Sequence, residues 1–316
     1  MKKTWKVGII GYTGMVGQEL TRIFEENAYN MFDGEETPVS IVYRRNSSGE
    51  EGSLADCDVV FLATKDQASL DSVSECLESG CRVIDMSGAF RLSREEFEKW
   101  YGITHTEPAL LAEAVYGMPA LYRDKIKNAK IVANPGCYAT SVILALAPIR
   151  DCVQGEATVV STSGNSGARK EVESVSDEWA YAFGHRHKHV PEMIRYSGMS
   201  VNFNPVVMRS VFKGINTNIR VALSEKLAAM KPEEARELLE TKIKNAYSAE
   251  DMVYVVRDGG GKTYGTAFVN DTNGMCVKVN VEDGFAYINS CIDNLGKGAA
   301  AQAVQNFKIM CGIESI

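Results

Sequence analysis

Apolar and polar positions alternate in two different rhythms along the chain. From residue 6 to about 133, short β-branched runs are separated by stretches with helical spacing, the sign of successive βα units. Lys6–Ile10 reads as a strand and Val16–Glu26 as an amphipathic helix. Val39–Tyr43 follows as a strand, then Asp58–Ala63, whose nearly unbroken apolar character suits a parallel strand buried on both faces. Ser69–Ser79 is helical and stops at Gly80, and Arg82–Met86 and Lys130–Ala133 add two more strands. This half predicts a doubly wound, Rossmann-type α/β sheet.

After residue 150 the strands come without regular helices between them. Ala157–Thr162, Val201–Phe203, Asn218–Leu223, Met252–Val256, Phe268–Asn270, Met275–Glu282 and Phe285–Ile288 all have strand character. Lys231–Tyr247 is the one long helical stretch among them, so an α+β layer with a mostly antiparallel sheet is expected. A final small-residue helix, Gly296–Phe307, is placed to pack back on the first half. The resulting division is a dinucleotide-binding domain over 1–136, completed by 295–316, and a catalytic and oligomerisation domain over 137–294.

Composition narrows the function classes. A length of 316 residues with 45% apolar and 24% charged residues suits two ordinary globular domains. A formal net charge of −7 offers no general attraction for nucleic acid or an anionic membrane. No apolar run reaches the length of a membrane span, and the basic start at Lys2 and Lys3 leads into glycines rather than a cleavage site. Eight scattered cysteines without a Cys-x-x-Cys pair point to reduced thiols and a cytoplasmic location.

Four segments carry chemistry. Gly11-Tyr12-Thr13-Gly14-Met15-Val16-Gly17 is a G-x-x-G-x-x-G turn between the first strand and first helix, where backbone amides can meet a pyrophosphate. The second strand ends in Arg44, Arg45 and Ser47 rather than in the acidic residue that holds a ribose 2′-hydroxyl, which favours NADP over NAD. Cys137 lies between a strand-like run and a helix-like run, at a helix N-terminus that would favour a thiolate. A small buried core residue is the alternative reading of that cysteine. His185, His187 and His189 would share one face of an extended chain. They can be read as metal ligands, as hydrogen-bonding structural residues, or as acid/base partners of Cys137 beside the cations Arg186 and Lys188. The ligand patterns usual for a metal site are missing, and none is assigned.

These segments resemble the N-acetyl-gamma-glutamyl-phosphate reductases. The resemblance rests on Gly11–Gly17, Asp85–Leu92, Tyr116–Pro119, Asn134–Thr140, Ser163–Ala168, His187–Glu192 and Asp293–Ala300, from the first strand to the last helix. The family's His-Arg-His motif maps to His187-Lys188-His189 when counted back from Pro191-Glu192, and His185-Arg186 creates a second frame. Asn204–Arg209 departs from the family's Thr-Pro-His stretch. The resemblance implies NADPH-dependent reduction of N-acetylglutamyl phosphate to the semialdehyde, in arginine biosynthesis, through a thioester on Cys137 with His187 as general acid/base. It further implies cofactor contacts at Ser163, Gly164, Ser166, Gly167 and Asn294, and substrate contacts at Asn134, Arg91, Arg186, His189 and Glu192. A homo-oligomer, dimer or tetramer, acting on a small acyl phosphate is expected. The alternatives are an aspartate-semialdehyde dehydrogenase-type reductase, or a catalytically silent NADP-binding regulator.

Overall fold

The computed structural model describes residues 3–32, 38–167 and 177–313. The chain divides into two compact units, Met1–Gly136 with Ala299–Ile316, and Cys137–Gly298.

The first unit is built on seven strands: β1 (Trp5–Ile10), β2 (Val39–Asn46), β3 (Gly49–Gly52), β4 (Val59–Leu62), β5 (Arg82–Asp85), β6 (Val115–Tyr116) and β7 (Ile131–Ala133). Their order is β3-β2-β1-β4-β5-β7-β6, parallel throughout except for the β2–β3 hairpin. The chain leaves β1 for β2 on one side and places β4 on the other, so the order reverses beside β1. Open α/β sheets bind ligands at such a point, outside the carboxyl ends of the strands. All four residues of β4 are buried, which is why its sequence is apolar without alternation.

Helices α1 (Met15–Glu26), α2 (Asp66–Glu78), α3 (Arg94–Tyr101), α4 (Pro108–Glu113) and α5 (Pro119–Lys127) connect these strands. The last three are absent from the periodicity reading. They are six to nine residues long, too short for a repeating apolar stripe, and are fixed by ends instead. Ser93 and Glu96 form a capping box on α3, while Pro108 and Pro119 open α4 and α5.

The second unit begins with α6 (Cys137–Leu146), buried at every residue but the first. Its sheet consists of β8 (Val153–Gly164), β9 (Glu178–Ala180), β10 (Ser200–Met208), β11 (Ile215–Leu223), β12 (Val253–Val255), β13 (Met275–Glu282) and β14 (Phe285–Ile292). The order is β12-β13-β14-β11-β8-β10-β9, and four of the six pairings are antiparallel. Helices α7 (Val190–Ser197), α8 (Glu225–Ala228), α9 (Pro232–Ala246) and α10 (Thr266–Val269) accompany it. One expectation fails here. Phe268–Asn270, read as a strand, lies at the end of α10, because one isolated apolar pair cannot distinguish a helical turn from an edge strand. The second half also holds more helices than Lys231–Tyr247 alone.

Hydroxyls pin α6 to this sheet. Ser141 Oγ and Ser161 Oγ lie 2.9 and 2.7 Å from Thr217 Oγ1, and Ser290 Oγ donates to the Ser141 carbonyl at 3.1 Å. A buried hydroxyl left without such a partner costs about 1–3 kcal/mol, so the chain fixes the depth of α6. A π-helical turn, Gly296–Ala300, leads into α11 (Ala301–Cys311), whose Phe307 packs with Phe24, Phe61 and Trp5 in the first unit's core.

Candidate active site

In the first unit, a glycine turn joins β1 to α1. Gly11 has φ +87°, a conformation that strains other residues, and a Cβ there would lie 2.5 Å from the Ala63 carbonyl oxygen. At Gly17 a Cβ would lie 2.3 Å from the Gly11 carbonyl oxygen. The Gly11 N–H donates to the Arg45 carbonyl at 2.7 Å, tying the turn to the end of β2. Gly14 caps α1 without any side-chain hydrogen bond to the helix's first amides. A glycine-lined cradle opening onto a helix N-terminus fits a pyrophosphate.

The two arginines at the end of β2 point to opposite helices. Arg44 pairs with Glu25 on α1 at 2.5 Å, and Arg45 with Glu75 on α2 at 2.7 Å and with Ser72 Oγ at 2.9 Å. Ser47 is exposed. Both carboxylate side chains are 53% exposed, so opening either pair costs about 1 kcal/mol or less.

Two residues expected at the substrate hold backbone groups of the first unit. Arg91 is buried and donates to the carbonyls of Asn134 and Met86 at 2.8 and 2.9 Å. Asn134 donates through Nδ2 to the Ala299 carbonyl and accepts from Asn306 Nδ2 at 3.0 Å. Its backbone N–H donates to the Asp85 carbonyl at 2.7 Å. Together these bonds set the course of the Asn134-Pro135-Gly136 turn.

In the second unit, Cys137 is the first residue of α6 and half-buried. Its neighbour Tyr138 lies edge-on to His187, His189 and Phe203, with ring centroids 5.5, 6.1 and 5.1 Å away. The His187 and His189 rings are 4.7 Å apart and both are buried. His187 Nδ1 accepts the His189 backbone N–H at 3.1 Å, so the neutral ring carries its proton on Nε2, 3.4 Å from the Tyr181 hydroxyl. Burial, helped by the charge of Lys188, holds the His187 pKa down at about 4. Burial raises the hydroxyls of Tyr138 and Tyr181, and charge on Cys137 raises them further.

The three histidines do not share the face of an extended chain. Residues 184–189 turn, with the Val190 N–H donating to the His187 carbonyl at 2.9 Å to start α7. His185 is left exposed, 2.8 Å from Glu156, and Arg186 is exposed beside it. Glu192 is wholly buried in the first turn of α7.

The loop residues expected at the cofactor come together, largely by bonding one another. Asn294 accepts the Gly214 N–H at 2.7 Å and donates to Ser166 Oγ at 2.8 Å, while Ser163 Oγ donates to the Gly164 carbonyl at 3.0 Å. Gly164 lies against the backbone of Phe212 and Lys213, whereas at Gly167 the neighbour among the described residues is the Asn294 amide, 3.9 Å from an added Cβ. Ala168, the last residue of that motif, lies outside the described residues. Tyr181 went unrecognised in the sequence. Its only signal was its place four residues before the histidine run.

Residues 6–129 match the semialdehyde dehydrogenase NAD binding domain, and residues 137–294 match the semialdehyde dehydrogenase dimerisation domain. N-acetyl-gamma-glutamyl-phosphate reductase from Thermus thermophilus is 34% identical over 97% of this chain and 96% of its own. The enzyme of that name from Halorhodospira halophila is 33% identical over 98% and 96%. The chain belongs to the N-acetyl-gamma-glutamyl-phosphate reductases. As a member of that family it is an oxidoreductase of arginine biosynthesis, with a nicotinamide-dinucleotide domain. Aspartate semialdehyde dehydrogenase II from Vibrio cholerae shares the fold, with a TM-score of 0.72 at 17% identity, covering 99% of this chain and all of the other. The Candida albicans enzyme determined with NADP gives 0.67 at 14%, covering 98% and 99%. No helix among the described residues is long and apolar enough to cross a membrane.

Proposed function

We propose that this reductase converts N-acetyl-L-glutamyl 5-phosphate to N-acetyl-L-glutamate 5-semialdehyde and phosphate, using NADPH, with Cys137 as nucleophile and His187 handling the proton. The observation that carries this reading is the placement of Cys137 at the start of a buried helix, next to Tyr138, whose ring packs edge-on against the buried His187 and His189.

The helix start favours the thiolate and offers amide donors to an acyl oxygen. Attack by the Cys137 thiolate on the acyl carbon expels phosphate and leaves a thioester. When bound, the dinucleotide supplies a hydride. Cys137 holds the resulting tetrahedral adduct until its C–S bond breaks, releasing the aldehyde and restoring the thiolate. His187 is neutral at physiological pH with its proton on Nε2, which suits it to donate to the acyl oxygen as charge develops there. That is the donor half of an acid/base role. His189, Arg186 and Glu192 are assigned to the substrate, His189 as the alternative proton carrier. Arg91 and Asn134 serve the same site by shaping the turn before Cys137.

The dinucleotide is held by Gly11–Gly17, its pyrophosphate on the amides at the start of α1. Arg44 and Arg45, whose pairs with Glu25 and Glu75 are weak, and Ser47 would hold a 2′-phosphate. Ser163, Gly164, Ser166, Gly167 and Asn294 are the residues assigned to the nicotinamide end. The first unit is the dinucleotide-binding domain, and residues 137–294 carry catalysis and self-association as a dimer or tetramer in the cytoplasm.

The test supplies N-acetylglutamate semialdehyde and aspartate semialdehyde separately, each with NADP and phosphate, and follows reduced dinucleotide by absorbance. Turnover of the acetylated compound is expected, and preference for aspartate semialdehyde overturns the substrate assignment. Cys137→Ser is expected to abolish turnover while calorimetry shows unchanged NADPH affinity. Full activity in that variant ends the nucleophile assignment.

A further inference from the structure

The last loop of the second unit presses on the proposed nucleophile. A Cβ added at Gly298 would lie 2.7 Å from Cys137 Cβ, 3.2 Å from Cys137 Cα and 3.3 Å from the Asp293 carbonyl oxygen. Neither Cys137 atom is the movable end of a long side chain. A methyl at 298 therefore forces the start of α6 or the loop itself to shift.

The loop is held against such a shift. The Asp293 carboxylate is fully buried and accepts the N–H groups of Asp271, Leu295 and Gly296 at 2.9, 2.9 and 3.1 Å. Lys213 Nζ lies 3.1 Å from the same carboxylate. The Asp293 carbonyl in turn accepts the Gly298 N–H at 2.9 Å, closing a six-residue turn that sets Gly298 against Cys137. Asn294, next in the chain, is locked between Gly214 and Ser166.

We propose that Gly298 is a positioning residue for Cys137, held in place by Asp293, and that its missing side chain fixes where the thiol sits at the head of α6. The proposal rests on Cys137 being the nucleophile. Its geometry can be tested separately from that assignment.

Gly298→Ala is made in the wild-type chain and in a Cys137→Gly chain. The melting midpoint is expected to fall by about 5 °C in the first, or folding to fail, with little change in the second, where Cβ of residue 137 is gone. An equal cost in both backgrounds, or failure to fold in both, overturns the proposal. In folded Gly298→Ala, alkylation of Cys137 by iodoacetamide, read by mass spectrometry, is expected to slow about 100-fold and kcat to fall in parallel. KM and NADPH affinity stay within about twofold. Unchanged alkylation and kcat overturn it as well. Alkylation that slows while turnover persists in Cys137→Ser overturns the nucleophile assignment and leaves the steric relation standing.

Discussion

Between Gly11 and Gly17 the groups that matter are backbone amides; between His185 and Glu192 they are side chains. The first segment needs only glycines and a helix start, all specified within seven residues. The second depends on Tyr138, Tyr181 and Phe203, which reach the histidines from α6, the preceding loop and β10. A site made of backbone is therefore local in sequence. One made of side chains is set by tertiary packing, which decides which histidine is buried and which nitrogen carries the proton.

The comparison breaks first at Gly17. A Cβ there would lie 2.3 Å from the Gly11 carbonyl oxygen and 2.6 Å from Tyr12 Cα, both rigid backbone. At Gly14 it would lie 3.3 Å from the same oxygen, a contact that small adjustments relieve. Gly17→Ala is expected to weaken NADPH binding about 100-fold by calorimetry, and Gly14→Ala less than about tenfold. Equal losses would mean that the turn acts through flexibility, not close approach.

The same contrast explains what could be read from the sequence. The parallel sheet was legible because β1, β4 and β5 are buried on their own terms, as Val59–Leu62 shows. Cys137 and the glycine turn were legible because both sit at strand–helix junctions. The histidine geometry was not, since alternation at 185, 187 and 189 assumes an extended backbone and the chain turns there to start α7. Arg91 and Asn134, which the resemblance places at the substrate, bond backbone carbonyls and Asn306 in the structure. No local pattern marks a partner 172 residues away. Gly298 is the same case, for its meaning depends on Cys137 at the other end of the unit.

A second prediction sharpens the side-chain half of the comparison. In the folded chain His187 stays neutral down to about pH 4, whereas an unfolded histidine takes its proton near 6.5. The unfolded state therefore binds more protons as pH falls from 6.5 to 4. The stability owed to the neutral ring is complete above 6.5 and is lost through that window. The loss reaches about 2–3 kcal/mol by pH 4.5. Urea unfolding at pH 7 and pH 4.5 should show His187→Gln losing less stability than wild type by about that amount. Equal losses would mean that His187 is solvated and charged in the native protein.

The smallest effect separates the two possible histidine frames. His185 is exposed and its visible tie is to Glu156, which also accepts from Ser200 Oγ at 2.9 Å. An exposed ion pair of this kind contributes about 1 kcal/mol or less, and it lies on the edge formed by β8 and the start of β10. His185→Gln is therefore expected to leave kcat/KM within about twofold of wild type, measured at the same pH as the His187 variant. A loss of ten-fold or more would move the proton-handling role to His185. The functional motif would then begin at His185-Arg186-His187, and the buried pair His187 and His189 would be a packing element around Tyr138. The ring-to-ring contact of 4.7 Å, with the Tyr181 ring 5.6 Å from His187, argues for the buried frame. Only there do the imidazoles meet the residue next to the thiol.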